Sequence, residues 1–335
     1  MTVLSVREAI RQALREELSR DEKVFLIGEQ LGTGSAFKVT EGLLAEFGEK
    51  RIRDTPLSES VIVGCGVGAA MMGYKPVIEL MFADFLVLGM DHLVNNAAKI
   101  CYGHDGELPL SLVLRMPQGA GATMGPHHSQ SVEAWILNVP GLKLVAPSTA
   151  HDAKGLLKSA IRDPNPVVFL EHKLLYNERG EVPDAEYTIP LGKAQVVKPG
   201  KDVSLISYSY TMKHLMAAAA ILARQGIDAE VVDVRTLRPL DVETLAESVK
   251  KTSRAVVAHE APVFGGAGAE IAAALHQEAF DYLDAPIARV GALETPVPFA
   301  STLEQAYLPN ENKIVDAVAG LLNQRVAHAV SGGSS

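Results

Sequence analysis

Apolar residues follow two alternating patterns along this chain. Short β-branched runs predict strands at 24–28, 75–80, 110–116, 142–147 and 166–171 in the first half. Longer amphipathic stretches between them predict helices at 5–20, 59–72, 84–102 and 150–162. The second half repeats the alternation, with strands at 203–209, 229–234, 255–260 and 287–291. Its helices are expected at 211–225, 241–251, 266–283 and 312–325. Near-continuous apolar strands separated by helices indicate parallel sheets covered on both faces. The expected fold is α/β, with two doubly wound domains. The stretch 171–200 is polar, rich in proline and without a period, so it reads as the linker between them. That places the domains at 1–185 and 186–327, with 328–335, ending SGGSS, as a flexible tail.

A length of 335 residues suits two domains. The net charge of −9 argues against sequence-independent nucleic-acid binding, which needs Lys and Arg to replace phosphate counterions. No apolar run approaches the roughly 20 residues of a membrane helix, so no membrane partner is expected. The N-terminus reads as an amphipathic helix capped by Ser5 and Glu8, not as a signal peptide. Cys65 and Cys101 are the only cysteines, which suits a reducing cytoplasmic setting, or an organelle matrix after removal of a targeting peptide.

Glu59 sits at the first position of an expected helix that carries Gly64, Gly66, Gly68 and Gly73. Each interior glycine costs about 0.5–1 kcal/mol relative to alanine, so something must approach that helix closely. Three readings of Glu59 are open. It complements the helix dipole; or Gly64, Gly66 and Ala69 form a dinucleotide fingerprint with Glu79 as its ribose acid; or Glu59 is a buried carboxylate bonded to a ligand nitrogen. A second notable stretch, MPQGAGATMGPHHSQS (116–131), is a glycine-rich loop after a strand, where parallel sheets place ligands. It lacks the ending of a P-loop. Adjacent His127 and His128 do not converge as metal ligands; proton transfer, bonding of an anionic intermediate, or a plain surface role are open to them.

The motifs DTPLSES, ELMFADF, HHSQS, PGLKLVAPS, DVRTLRPLD and GAGAEIAAAL occur in order between about 4 and 325. Together they resemble the β subunit of the thiamine-diphosphate-dependent decarboxylating component of 2-oxoacid dehydrogenase complexes. The runs 169–183 and 207–218 are most similar to pyruvate dehydrogenase β chains. The resemblance implies a transketolase-like pyrimidine-binding domain followed by a transketolase C-terminal domain. It implies that Glu59 is the catalytic glutamate, bonded to a pyrimidine ring nitrogen so that the imino tautomer, which generates the ylid, is favoured. By the same resemblance Phe85 stacks on the pyrimidine with Met81 nearby, and His128 passes the intermediate to a lipoyl group. Glu29 matches an interface acid whose acidic neighbour is here Gln30. The loop at 160–166 matches a structural potassium site near Leu112, Ala160, Asp163 and Asn165.

The Gly-Asp-Gly motif that holds Mg²⁺ and the diphosphate in such enzymes does not occur here; HDG at 104–106 is the nearest run. The resemblance therefore implies an α subunit that holds Mg²⁺, in a heterotetramer of two α and two β chains. It also implies a lipoyl-bearing dihydrolipoyl acyltransferase core as partner and a small 2-oxo acid as substrate. Branched-chain 2-oxoacid and acetoin dehydrogenase β subunits are sister readings. A non-catalytic scaffold and an NAD-dependent dehydrogenase are the readings from other classes.

Overall fold

The computed structural model describes the backbone of residues 1–331 and the side chains through Leu322. Fourteen strands are described: β1 (Thr2–Ser5), β2 (Val24–Glu29), β3 (Ile52–Thr55), β4 (Lys75–Glu79), β5 (Leu112–Gln118), β6 (Lys143–Val145), β7 (Pro166–His172), β8 (Arg179–Val182), β9 (Gln195–Lys198), β10 (Val203–Ser207), β11 (Ala229–Asp233), β12 (Thr236–Arg238), β13 (Ala255–Pro262) and β14 (Ala288–Ala292). The chain divides into two compact units. One holds Met1–Leu191 with Thr236–Pro239; the other holds Gly192–Arg235 and the chain from Leu240 onward.

The first unit is an α/β unit around a seven-stranded sheet of order β12-β6-β7-β5-β4-β2-β3. All its pairings are parallel except that of β12 with β6. The order reverses between β2 and β4, a topological switch point of the kind at which such sheets bind ligands. Seven helices belong to this unit: α1 (Val6–Arg20), α2 (Leu43–Phe47), α3 (Glu59–Met71), α4 (Leu86–Met90), α5 (Ala98–Gly103), α6 (Glu133–Leu137) and α7 (Ala150–Arg162). α1 opens on the expected capping box, Ser5 with Glu8.

The second unit is built on a five-stranded sheet of order β14-β13-β10-β11-β9, parallel except for β9. It carries α8 (Thr211–Arg224), α9 (Val242–Thr252), α10 (Ala267–Ala279), α11 (Ser301–Tyr307) and α12 (Glu311–Ser331). Its core joins Val203, Leu205 and Val231 of the sheet to Leu215, Ile314 and Val318 of the covering helices. α12 runs six residues past the expected helix end at 325, and residues 332–335 of the expected tail lie outside the described residues.

Two expectations need correction. The stretch 171–200 is not a plain linker: β8 pairs antiparallel with β1, and β9 joins the second sheet as an antiparallel edge. Both strands are short and half exposed, so they carry little hydrophobic signal. The expected helix 84–102 is broken into a 3₁₀ turn (Ala83–Phe85), α4, a π-helical turn (Asp91–Ala97) and α5. Within it, Gly89 lets α4 pack closely on α3, since a Cβ there would stand 2.7 Å from Val63 Cγ2. The run VIV (61–63) lies inside α3, as the expected helix 59–72 has it. The dinucleotide fingerprint therefore lacks the strand it requires, and the NAD reading falls with it.

Candidate active site

β2 ends at Glu29, and α3 begins at Glu59 after the extended approach through Pro56. Ser58 occupies the N-cap position, but its hydroxyl turns back to donate to the Pro56 carbonyl at 3.0 Å and does not cap the helix. Glu59 is 8% exposed and Glu29 4%. Neither carboxylate oxygen of Glu29 has a hydrogen-bond partner of ordinary geometry among the described residues. Burial pushes the Glu29 carboxyl above its usual range, the Glu59 charge pushes it further, and the nearby Ser58 N–H pulls it partly back. The switch point thus holds two buried acids with no ion-pair partner among the described residues.

Two glycines of α3 serve the close approach expected of them, and neighbouring elements of the chain make it. A Cβ on Gly66 would come within 2.3 Å of Ile78 Cδ1, and one on Gly64 within 3.1 Å of the His92 ring. Close packing on β4 and on the π turn requires them. Gly68 faces open space.

β4 leads through half-buried Met81 into Phe82 and the 3₁₀ turn that ends at Phe85. The His128 ring meets Phe82 edge-on at 4.7 Å and Phe85 at 5.5 Å between centroids. Phe82 also meets Phe37 at 5.8 Å, and Phe37 meets Tyr176 at 5.2 Å. The glycine-rich loop is tied down near His128 on both sides. Asp84 Oδ1 accepts from the Gln130 backbone N–H at 3.1 Å and from its Nε2 at 2.9 Å. Lys173 Nζ donates to the His128 carbonyl. Positive φ at Gly119, Gly121, Thr123 and Gly125 lets the loop fold back on itself. His127 is exposed and takes no part in this cluster.

The two groups connect. α4 starts directly after Phe85, and a Cβ on its Gly89 would stand 3.6 Å from the Glu59 carbonyl. Beside them, Arg115 of β5 binds Glu171 through Nε (2.7 Å) and Nη2 (2.9 Å) and Glu79 through Nη1 (2.6 Å). Tyr176 Oη donates to Glu171 at 2.7 Å. Glu79, offered above as a ribose acid, is consumed by this network.

Leu112, Ala160, Asp163 and Asn165 meet at the opposite end of the sheet. The Asp163 N–H donates to the Ala160 carbonyl at 3.3 Å, and Leu112 lies opposite Pro166 in the β5–β7 ladder. Asp163 Oδ1 accepts from the Asn165 N–H at 2.9 Å and its Nδ2 at 3.0 Å, and Oδ2 pairs with Lys143. The Asp163 carboxylate is therefore already engaged, which leaves backbone carbonyls as the available cation ligands.

Sequence reading missed Phe37, Phe82, Asp84, Gln130 and Lys173. Phe82 and Asp84 lie in the quoted run ELMFADF, but nothing in one dimension pairs them with a loop 46 residues on. An apolar pocket of about 830 Å³, lined by Ala98, Cys101, Tyr102, Val139 and Pro140 among others, contains none of the candidate catalytic groups.

A switch-point acid pair, a glycine loop and two α/β units define the class, and the comparisons agree. Residues 2–179 match the transketolase pyrimidine-binding domain and residues 192–314 the transketolase C-terminal domain. The chain is 47% identical over 320 residues to the pyruvate dehydrogenase E1 component subunit beta of Rhizobium meliloti (strain 1021), covering 95% of this chain and 70% of that protein. It is 46% identical over 316 residues to the Rickettsia felis subunit of the same name, covering 94% of this chain and 97% of that one. A solved structure described as a split-gene transketolase, inactive beta4 tetramer, superposes with a TM-score of 0.75 at 24% identity, over 96% of this chain and 98% of that one. The chain belongs to the pyruvate dehydrogenase E1 β-subunit family of transketolase-like proteins.

Proposed function

We propose that this chain is the β subunit of a pyruvate-dehydrogenase-type component. Together with an α subunit it carries out oxidative decarboxylation of pyruvate and reductive acylation of lipoyl groups on an acyltransferase core. The observation that carries this reading is the acid pair Glu29/Glu59: two buried carboxylates without an ion-pair partner among the described residues, the Glu29 oxygens also without a hydrogen-bond partner of ordinary geometry there. Burying such a pair is costly unless a ligand supplies donors.

A pyrimidine bearing ring N–H and amino donors fits that need. Thiamine diphosphate, when bound, would supply a thiazolium carbon that bonds to the substrate carbonyl carbon and a cationic ring that takes up the electron pair left as CO₂ departs. Glu59 holds a proton at the pyrimidine ring nitrogen. Glu29 stands beside it as the second buried acid. Phe85, half exposed, offers a ring face to a planar partner, and Met81 flanks it. His128, half exposed and braced by Phe82 and Phe85, presents an imidazole that can hold or give a proton during acyl transfer.

This chain carries no Gly-Asp-Gly motif, so the α subunit holds Mg²⁺ and the diphosphate. Leu57, Val61 and Met72 on and beside α3, with Val87 and Leu88 on α4, are large apolar side chains left exposed. Such a surface suits a partner chain. The turn at 160–165 is the proposed potassium site, through backbone carbonyls. The domains of this reading are 1–185 for the pyrimidine and 186–327 for the transketolase-type C-terminal fold.

A tagged pull-down tests the function. The eluate is assayed for thiamine-diphosphate-dependent CO₂ release from pyruvate, from branched-chain 2-oxo acids, and for acetoin cleavage. Co-elution of a second chain with cofactor-dependent activity on pyruvate is the expected result. Preference for another substrate moves the chain to a sister branch, and a lone chain indifferent to the cofactor defeats the reading.

A further inference from the structure

We propose that Lys173 is a positioning residue for His128: its buried ammonium holds the His128 carbonyl and fixes the imidazole for transfer to the lipoyl group. This inference rests on the reading of His128 above. Lys173 opens the short 3₁₀ turn Lys173–Leu175 after β7 and is only 6% exposed. A buried lysine is rare and needs partners for its charge. Two of its contacts converge on one place. Nζ donates to the carbonyl of His128 itself and stands 5.6 Å from the centroid of the Phe82 ring, the ring against which the His128 imidazole packs at 4.7 Å. One ammonium therefore restrains both the backbone of His128 and the aromatic wall beside its side chain.

The rest of the loop explains why such a restraint matters. From Gly119 to Gln130 the segment is glycine-rich, with four positive-φ residues. Its far end is secured by Asp84 through Gln130. Within the segment, the His128 N–H makes only a long bond, 3.4 Å, to the Gly125 carbonyl. Lys173 supplies the charge-assisted contact at the one residue whose side-chain placement counts. An apolar side chain of equal length would fill the space, so packing alone does not call for an ammonium.

Lys173→Met keeps the stem and removes the charge; Lys173→Arg keeps the charge and its donors. Both are compared with the unaltered chain in the assembled enzyme, by lipoyl acylation and by decarboxylation with an artificial electron acceptor. Amide hydrogen exchange over 119–131 is measured on the full chain without cofactor. For Lys173→Met we expect lipoyl acylation to fall about tenfold or more, artificial-acceptor turnover to change less than about twofold, and exchange over 119–131 to rise about tenfold. Lys173→Arg should recover most of the acylation. Unchanged acylation in the Met variant, or equal losses in the two assays, would overturn the positioning role. If the unaltered assembly shows no thiamine-diphosphate-dependent activity, the proposed function fails instead. The exchange measurement then still decides whether Lys173 holds the loop, and unchanged protection rejects that as well.

Discussion

Neighbouring strands β2 and β4 end in acids, Glu29 and Glu79, and the two are treated in opposite ways. Glu79 shares Arg115 with Glu171, and Tyr176 donates to the same cluster. Burial pushes the Glu79 carboxyl up, Arg115 pulls it down, and Glu171 adds to the rise. Arg115 itself keeps its charge, because Glu171 and Glu79 outweigh its own burial. Glu29 meets only Glu59, another acid, and the Ser58 N–H. The first cluster closes on itself and therefore needs nothing from outside. The second is left open, and an open buried polar group is where a ligand gains the most by binding.

The largest effect should come from breaking the open pair. Glu59→Gln keeps the shape of the side chain and removes the acceptor charge. Cofactor-dependent CO₂ release by the assembled enzyme should fall roughly 10²–10⁴-fold, with co-elution of the second chain unchanged. Near-normal turnover would take Glu59 out of the chemistry. Breaking the closed cluster should act on stability instead. Arg115→Met leaves two buried carboxylates without their cation, at a cost of about 3–5 kcal/mol, readable as a lower urea midpoint of the chain.

A smaller effect, of opposite sign, sharpens the contrast. The Glu29 carboxyl is raised above its ordinary 4.5, so its ionisation adds no penalty below pH 4.5 and destabilises the fold as pH rises through the folded value. Glu29→Gln should therefore raise the melting temperature at neutral pH by about 2–4 °C. The gain should close below pH 4.5, and cofactor-dependent activity should drop. A melting temperature that falls at neutral pH would show that Glu29 is satisfied after all.

The second unit supplies a control. His259 on β13 is 0% exposed, neither ring nitrogen has a geometric partner among the described residues, and Gly266 and Gly268 close on its ring. Burial lowers its pKa from 6.5 to about 4, against an upward pull from the Ala261 backbone and with Arg289 adding to the fall. Its contribution to stability is whole above pH 6.5 and is lost as pH falls toward 4. His259→Leu should flatten the acid limb of the stability curve in that range and leave turnover within about twofold. A large loss of turnover would mean that an unpartnered buried group marks function in this unit too.

Much of this was legible in one dimension. The parallel strands of both sheets other than β3 announce themselves as continuous apolar runs, because both faces of each strand are covered. Glu59 stands out because an acid heads a run of small residues, and His128 because it sits in a glycine loop after a strand. The missed strands β1, β3, β8, β9 and β12 are all short, and most pair at sheet edges, where neighbours decide the conformation more than periodicity does.

The sequence by itself determined the fold class, the family and the identity of the residues at the head of α3 and in the loop at 116–131. These are carried by local patterns and ordered motifs, which survive without contacts. Only the tertiary structure decided that Glu29 faces Glu59, that Glu79 is spent on Arg115, and that Asp84 and Lys173 secure the loop bearing His128. Those pairings join residues 30 to 46 positions apart in the chain. Whether a buried charge is open or closed depends on its neighbours in space, and no periodicity encodes that.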